Sequence, residues 1–228
     1  RTSSKETCGR RGPRRAVPIA MMTTPTWRRL VFEKAERIAL VDRLLTSLVR
    51  PGDVVLDLAC GHGYAAAIGA ERGARLAVGA DRLHAYLAGH ARRTAAIMEA
   101  RVCHVAADAY ALPFRSGSFD LVWSANFLYA LFAPWHVIAE IRRVLRPGGR
   151  WIGIERAVPA WRCRRERARM ANPGYECEQP WRLRDWRALA RVTGARLSML
   201  PGRRVRSQVL RRWLTVARPG RVVLEIAA

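Results

Sequence analysis

Hydrophobic residues along the middle of the chain follow two alternating periods, one typical of strands and the other typical of helices. Short apolar runs predict five strands, at 53–59, 75–81, 101–108, 118–124 and 151–155. Helical spacing precedes and separates these runs, at 26–49, 64–72, 82–99 and 133–145. The alternation favours a parallel sheet with helices on both faces, in which ligands bind beyond the carboxyl ends of the strands.

The pattern is less regular beyond residue 156. Residues 157–180 have no clear period, a helix is predicted at 181–195 with its end at Gly194, and two short strands are predicted at 196–200 and 221–227. No apolar run approaches the roughly 20 residues that a membrane-spanning helix needs.

The same pattern gives an expected domain organisation. Residues 1–22 combine turn formers and basic side chains without a period, so we expect a disordered leader, with Met21 or Met22 as the functional start. Residues 23–228 are expected to form one domain, with a ligand-binding core at 51–156 and a variable part at 157–228.

The first predicted strand is followed by a glycine loop and a helix. Gly61, Gly63 and Ala66 have the G-x-G-x-x-A spacing of a dinucleotide-binding loop. Asp57, however, lies four residues before the first of these glycines, and a pyrophosphate would meet its charge in a partly desolvated cleft. A ligand with a cationic amine and a cationic sulfur suits this loop better than NAD, and S-adenosylmethionine is such a ligand.

Three acids stand at or near the carboxyl ends of successive predicted strands. They are Asp57, Asp81 and Asp108. Because these strand ends share one edge of a parallel sheet, we expect the three carboxylates to face the same crevice.

Five stretches of the chain, in order, resemble a class I S-adenosylmethionine-dependent methyltransferase, most closely the type 11 group that includes quinone-biosynthesis enzymes. They are "VVLDLACGHG", "VGAD", "AADAYALPF", "FDLVWS" and "EIRRVLRPGG". The resemblance implies an α/β fold with a Rossmann-like, seven-stranded, mostly parallel sheet and helices on both faces. It also implies a C-terminal antiparallel hairpin, for which "RLSML" and "RVVLEIA" are the candidates.

The resemblance assigns the first cofactor contacts to the loop after the first strand. Asp57 would anchor the methionine amine, directly or through water. Gly61 and Gly63 would let the backbone approach the cofactor where a Cβ would collide. Ala59 stands where many members of the family have a further glycine, and Tyr64 stands where a smaller residue is common.

The remaining cofactor contacts fall after the next strands. Asp81 would accept hydrogen bonds from the ribose hydroxyls, and Arg82 would lie along the adenine. Asp108, with the Ala109 backbone beside it, would accept from the adenine amino group. Two further residues, Ser124 and Asn126, would line the methionine end.

No catalytic residue is identified from the sequence, apart from Tyr129 as a weak candidate for an acid, a base or an orienting group. Methyl transfer depends mainly on orientation, and a base helps only when the acceptor is a hydroxyl or a carbon acid. Asp120 is expected to be a structural partner at a strand start, and Cys60 a packing residue. The five cysteines are irregularly spaced, which favours neither a zinc site nor a disulfide framework and fits the cytoplasm.

The net charge of +23 leaves the acceptor open. The basic excess lies in the two flanks and consists almost entirely of arginine, a bias typical of GC-rich coding sequences. A small-molecule acceptor is the main hypothesis, and an RNA or ribosomal methyltransferase that uses the basic C-terminal region is the alternative. The [DNS]-P-P-[YFW] motif of amino-directed enzymes is replaced by "SANF" at 124–127. A binding protein that has lost turnover is a third possibility, and the oligomeric state is not determined.

Overall fold

The computed structural model describes residues 35–61, 63–82, 101–163, 180–199 and 220–228. The predicted leader at 1–22 and the helix predicted at 82–99, apart from its first residue, lie outside these ranges. The helices are α1 (Ala35–Leu48), α2 (Tyr64–Glu71), α3 (Pro134–Val144) and α4 (Leu183–Thr193), with short 3-10 turns at Leu128–Ala130 and Ala160–Arg162. The strands are β1 (Val54–Leu58), β2 (Leu76–Asp81), β3 (Val102–Ala106), β4 (Phe119–Ala125), β5 (Leu145–Ala157), β6 (Arg196–Met199) and β7 (Gly220–Ala227).

All seven strands belong to one sheet, in the order β3-β2-β1-β4-β5-β7-β6. The pairs from β3 across to β5 are parallel, and β7 is antiparallel to both β5 and β6. The predicted fold class and the C-terminal hairpin are therefore confirmed. The chain order reverses between β1 and β4, and this is the switch point at which such sheets bind ligands.

Helices cover both faces of the sheet. Val55 of β1 and Ala77 of β2 lie against Gly69 of α2. The neighbouring residue Leu56 points to the other face and belongs to a large buried cluster with Ile141 of α3 and other residues of α3 and α4. The sheet is thus the middle layer of three, and its central strands are buried on both sides.

Strand β5 begins earlier than the sequence predicts. The sequence predicts a strand at 151–155, but β5 starts at Leu145 and includes "RPGG" at 146–149. Phe119 of β4 pairs with Leu145 of β5, and Leu121 pairs with Arg150. One residue of β4 therefore lies opposite four residues of β5, 146–149, and these additional residues form a bulge. Glycine is required there, because Gly148 has φ +77.

Asp120 is a structural residue, as expected. Its Oδ2 accepts the Val54 N–H at 2.7 Å, and its two oxygens accept from Arg146 Nη1 at 2.9 and 2.8 Å. These bonds fix the start of β1 to β4 and to the bulge of β5, at the sheet edge opposite to the switch point.

Candidate functional site

The carboxyl ends of β1 and β4 flank the switch point, and both carry an unusual backbone conformation. Ala59 (φ 56) follows β1 and Asn126 (φ 54) follows β4, and both adopt a left-handed conformation that non-glycine residues rarely adopt. Such residues concentrate at functional sites, where the surrounding structure stabilises a strained turn. The backbone therefore marks the same crevice as the strand order does.

Ala59 provides a simple test of this strain. We expect Ala59→Gly to raise the free energy of unfolding by about 1 kcal/mol, because glycine adopts positive φ without a Cβ penalty. Ala67→Gly is the matched control, since Ala67 lies inside α2 and the same change there should lower stability by about 1 kcal/mol. Urea unfolding of both variants measures the two changes, and a loss of stability in Ala59→Gly would contradict the assignment.

Residues 59–61 and Gly63 lie in a tight turn after β1 that is bonded to β2. The Cys60 N–H donates to the Ala80 carbonyl at 3.1 Å, and the Gly61 N–H donates to Asp81 Oδ2 at 2.8 Å. The Gly63 N–H turns back to the Cys60 carbonyl at 2.7 Å. Gly61 and Gly63 both have positive φ, so these two positions favour glycine for the turn itself. The amides of both glycines are engaged within the protein.

Asp57 lies beneath the first turn of α2. Its Oδ2 accepts the Ala66 N–H at 3.1 Å, and the side chain is buried. Burial raises the pKa of Asp57 to about 7; the Ala66 N–H opposes the shift, and the nearby charge of Asp81 adds to it. The carboxylate occupies the helix N-terminus, where a phosphate would otherwise bind. The crevice is therefore suited to a cation rather than to a pyrophosphate.

Asp81 and Asp108 follow along the same sheet edge. Asp81 is the last residue of β2 and is half-buried, and its carbonyl accepts the Ala107 N–H at 3.0 Å. Asp108 is exposed two residues beyond β3, and its Oδ1 accepts the Tyr110 N–H at 2.9 Å. The three predicted acids thus stand at the ends of adjacent strands. Their contacts with a cofactor stay a prediction.

Two other predicted contacts lie beside these acids. Arg82 directly follows β2 and is exposed, and Ala109 is half-buried beyond β3. Both residues therefore lie at the sheet edge where the adenine is expected, and their contacts with it stay a prediction.

The Ser124 side chain points away from the crevice. The register pairs Asp57 with Trp123 and Leu58 with Ser124, so Ser124 points to the opposite face of the sheet from Asp57. Its hydroxyl is fully buried and accepts the Trp151 indole N–H at 3.1 Å. The predicted contact of Ser124 with the methionine end of a cofactor would therefore involve its backbone and not its hydroxyl.

Close packing explains why position 79, the second residue of "VGAD", is a glycine. Gly79 pairs with Asp57 on one side and with His104 on the other. A Cβ at Gly79 would lie 2.9 Å from His104 Cδ2 and 3.0 Å from Cys60 Sγ, too close for either contact. Burial raises the pKa of the Cys60 thiol beyond its usual range, which agrees with a packing role.

Glu155 supports a loop of the crevice from beneath, and the sequence alone does not identify it. It lies near the end of β5 and is fully buried. Its Oε1 accepts the N–H groups of Phe127 and Leu128, each at 3.0 Å, in the loop that carries Tyr129. Burial raises its pKa to about 7, against the effect of these N–H groups and that of Tyr129. The sequence feature that could have pointed to a role for Glu155 is a single acid at the end of the apolar run "WIGIE".

The loop after β3 is held from α3. Arg143 of α3 donates to the carbonyls of Leu112 and Phe114 at 3.0 and 2.8 Å, and Glu140 accepts the Leu112 N–H at 2.9 Å. Tyr110 Oη accepts the Ala133 N–H at 3.1 Å, which joins this loop to the one after β4. The loops after β3 and β4 are therefore both fixed by side chains from the surrounding fold.

The described part of the chain has neither a cluster of metal ligands nor a membrane-spanning helix. Among those residues, no three of His, Cys, Asp and Glu gather closely enough to hold a metal ion. None of the described helices is long and apolar enough to cross a membrane.

Comparison with known proteins gives consistent matches. The sequence profile of the family described as "Methyltransferase domain" matches residues 56–153. The chain is 38% identical over 120 residues to 27-O-demethylrifamycin SV methyltransferase of Amycolatopsis mediterranei, covering 49% of this chain and 42% of that protein. It is 38% identical over 112 residues to demethylmenaquinone methyltransferase of Beutenbergia cavernae, covering 49% and 44%. The chain thus spans less than half the length of these curated relatives.

Solved structures extend the similarity to the whole fold. Geranyl diphosphate C-methyltransferase from Streptomyces coelicolor, crystallised with Mg²⁺, geranyl diphosphate and S-adenosyl-L-homocysteine, superposes with a TM-score of 0.67. The superposition covers 91% of this chain and 85% of that one, at 14% sequence identity. At this identity the match concerns the fold alone, and the chemistry has to be argued from the site.

Proposed function

We propose, from the match of residues 56–153 to the methyltransferase-domain family, that the chain transfers a methyl group from S-adenosylmethionine to a small-molecule acceptor. The observation that carries the cofactor assignment is the Asp57 carboxylate at the N-terminus of α2. It takes the position at which a dinucleotide would bring its pyrophosphate, and its charge favours a ligand with an ammonium group.

The residues of the crevice fit S-adenosylmethionine on three counts. The pKa of Asp57 is raised by burial and by Asp81, so a cation beside both carboxylates would relieve an existing cost. Asp81 ends β2 beside the glycine loop, where its carboxylate, which also accepts the Gly61 N–H, would accept from ribose hydroxyls. The amides of Gly61 and Gly63 bond within the protein, so this loop does not present them to a phosphate.

S-adenosylmethionine, when bound, supplies an electrophilic methyl group on a sulfonium. In this proposal the chain itself contributes binding and orientation. Asp57 would hold the amine, Asp81 the ribose, and Asp108 with Ala109 the adenine edge. The loop 126–130 would face the acceptor, and Tyr129 would orient it or exchange a proton with it.

The acceptor is proposed at the level of a small organic molecule. The named relatives and structural neighbours act on a demethylmenaquinone, a rifamycin precursor and geranyl diphosphate, which are chemically diverse but all small. The test is incubation of the chain with methyl-labelled S-adenosylmethionine and a panel of acceptors. The panel contains reduced demethylmenaquinone, 27-O-demethylrifamycin SV, geranyl diphosphate and total RNA.

We expect label in at least one small molecule and none in the RNA. Label in the RNA alone would replace the small-molecule proposal with the nucleic-acid alternative. Binding of the cofactor without transfer to any member, including wider sets of phenols and quinols, would count against turnover.

A further inference from the structure

The loop after β4 is attached to β5 through four consecutive backbone amides, those of residues 126–129. The Asn126 N–H donates to the Ile154 carbonyl at 2.8 Å, which continues the ladder between β4 and β5 by one residue. The next amides, of Phe127 and Leu128, donate to the Glu155 carboxylate, and the Tyr129 amide also bonds to it. Without Glu155 these amides would lack an acceptor in the protein interior, which is unfavourable.

Glu155 is an unusual choice for this position. It lies in the register between Ile154 and Arg156 and points to the sheet face that is otherwise filled by the large apolar cluster. A fully buried carboxylate is costly unless several donors bond to it. On this face of the sheet the cost falls at Glu155, directly beneath the loop after β4. The donors that the described residues supply are the backbone amides of residues 127–129.

The loop that Glu155 holds borders the crevice but Glu155 itself does not. Asn126, in the left-handed conformation, makes the turn away from β4, and Tyr129 follows in the 3-10 turn. On the other side of the switch point lie residues 59–61 and Asp57, which, among the described residues, hydrogen-bond to β2 and α2 rather than to β5. The cofactor side and the opposite side of the crevice therefore have separate anchors.

We propose that Glu155 is a positioning residue for the acceptor: its carboxylate fixes the amides of residues 127–129, so that Asn126 and Tyr129 are held at the acceptor side of the crevice. This inference rests on the proposed function. It assigns Glu155 no contact with the cofactor or with the reacting atoms. Its removal should therefore affect turnover and acceptor binding while leaving cofactor binding unchanged.

The test uses Glu155→Met, which keeps a similar volume but removes both acceptor oxygens, and Glu155→Gln, which keeps one oxygen. Glu225→Met, on the adjacent strand β7, is the matched control. Three experiments are made on the whole chain. NMR measures amide hydrogen exchange of Phe127 and Leu128, titration measures the Kd of S-adenosylhomocysteine, and steady-state kinetics give kcat and KM with the best acceptor of the panel.

For Glu155→Met we expect exchange of the two amides to be at least about tenfold faster, and kcat/KM for the acceptor at least about tenfold lower. The Kd of S-adenosylhomocysteine should stay within about threefold of wild type, and Glu155→Gln should recover most of both losses. Glu225→Met should match wild type throughout.

Unchanged exchange and unchanged kcat/KM in Glu155→Met would overturn the inference, as would a parallel loss of cofactor affinity. If Glu155→Met does not fold, Glu155→Gln decides: exchange at Phe127 should still be faster than wild type, and wild-type values in every measurement would overturn the inference. A wild-type chain that binds S-adenosylhomocysteine but methylates nothing would remove the proposed function. The exchange data would still show whether Glu155 holds the loop.

Discussion

Replacing Asp81 with asparagine is expected to weaken the binding of S-adenosylhomocysteine about 100-fold, which corresponds to about 2.8 kcal/mol. A carboxylate that accepts from ribose hydroxyls makes charge-assisted hydrogen bonds, each stronger than a neutral one. Asparagine keeps an acceptor for the Gly61 N–H, which now donates to Asp81 Oδ2 at 2.8 Å, so the loop should keep its shape. The expected loss therefore concerns the ligand rather than the fold.

Asp185→Asn is the matched control for this variant. Asp185 also accepts a backbone N–H through Oδ2, from Arg182 at 2.7 Å, but it does so at the start of α4. We expect the Asp185 variant to bind S-adenosylhomocysteine like wild type. Titration calorimetry measures both variants. Equal affinities for the Asp81 variant and wild type would show that the acid after β2 does not hold the ribose.

Replacing Asp57 with asparagine is expected to change binding and stability in opposite directions. Loss of the negative charge should lower the affinity for S-adenosylhomocysteine by about 30-fold, because the ligand's amine loses its partner in a buried crevice. The free energy of unfolding at pH 8 should rise by about 2 kcal/mol, because a desolvated carboxylate near Asp81 is replaced by a neutral group of the same shape. The asparagine oxygen can still accept the Ala66 N–H.

The stability gain should depend on pH in a defined way. The pKa of Asp57 is raised from 3.8 to about 7, so the folded protein binds a proton that the unfolded chain releases. The stability linked to this proton is fully present below about pH 4 and is lost as the pH rises through 7. Asparagine lacks this dependence, so the advantage of the Asp57 variant should grow between pH 5 and pH 8.

Urea unfolding of wild type and Asp57→Asn at pH 5 and pH 8 measures this difference. Asp53→Asn provides a control, because Asp53 lies just before β1 and its carboxylate accepts the Arg50 N–H on the exposed side. A constant difference between pH 5 and pH 8, or a stability loss in the Asp57 variant, would show that the carboxylate is not held at a cost in the free protein.

The elements that could be predicted from the sequence are those whose cause is local. The strands have apolar runs, the glycine loop has its spacing, and the acids at strand ends follow from the shared edge of a parallel sheet. The structure confirms the strands and the placement of Asp57 and Asp81 at one edge. Gly194, which ends α4 in a left-handed conformation, was also predicted from the sequence.

The elements that could not be predicted depend on contacts between distant parts of the chain. The direction of Ser124 follows from its register with Leu58, which no local pattern reveals. The bulge of β5 depends on its pairing with β4 across the start of the sheet. Glu155 acquires its role only when the turn after β4 brings amides 28 and 27 residues away onto its carboxylate.

The most direct measurement is calorimetric titration of the wild-type chain with S-adenosylhomocysteine and, in parallel, with NAD. We expect a Kd of about 1–10 μM for S-adenosylhomocysteine and no measurable binding of NAD, because Asp57 occupies the position that a pyrophosphate would need. Tight binding of NAD, or a folded chain that binds S-adenosylhomocysteine neither alone nor with the acceptor panel, would contradict the proposed methyl transfer.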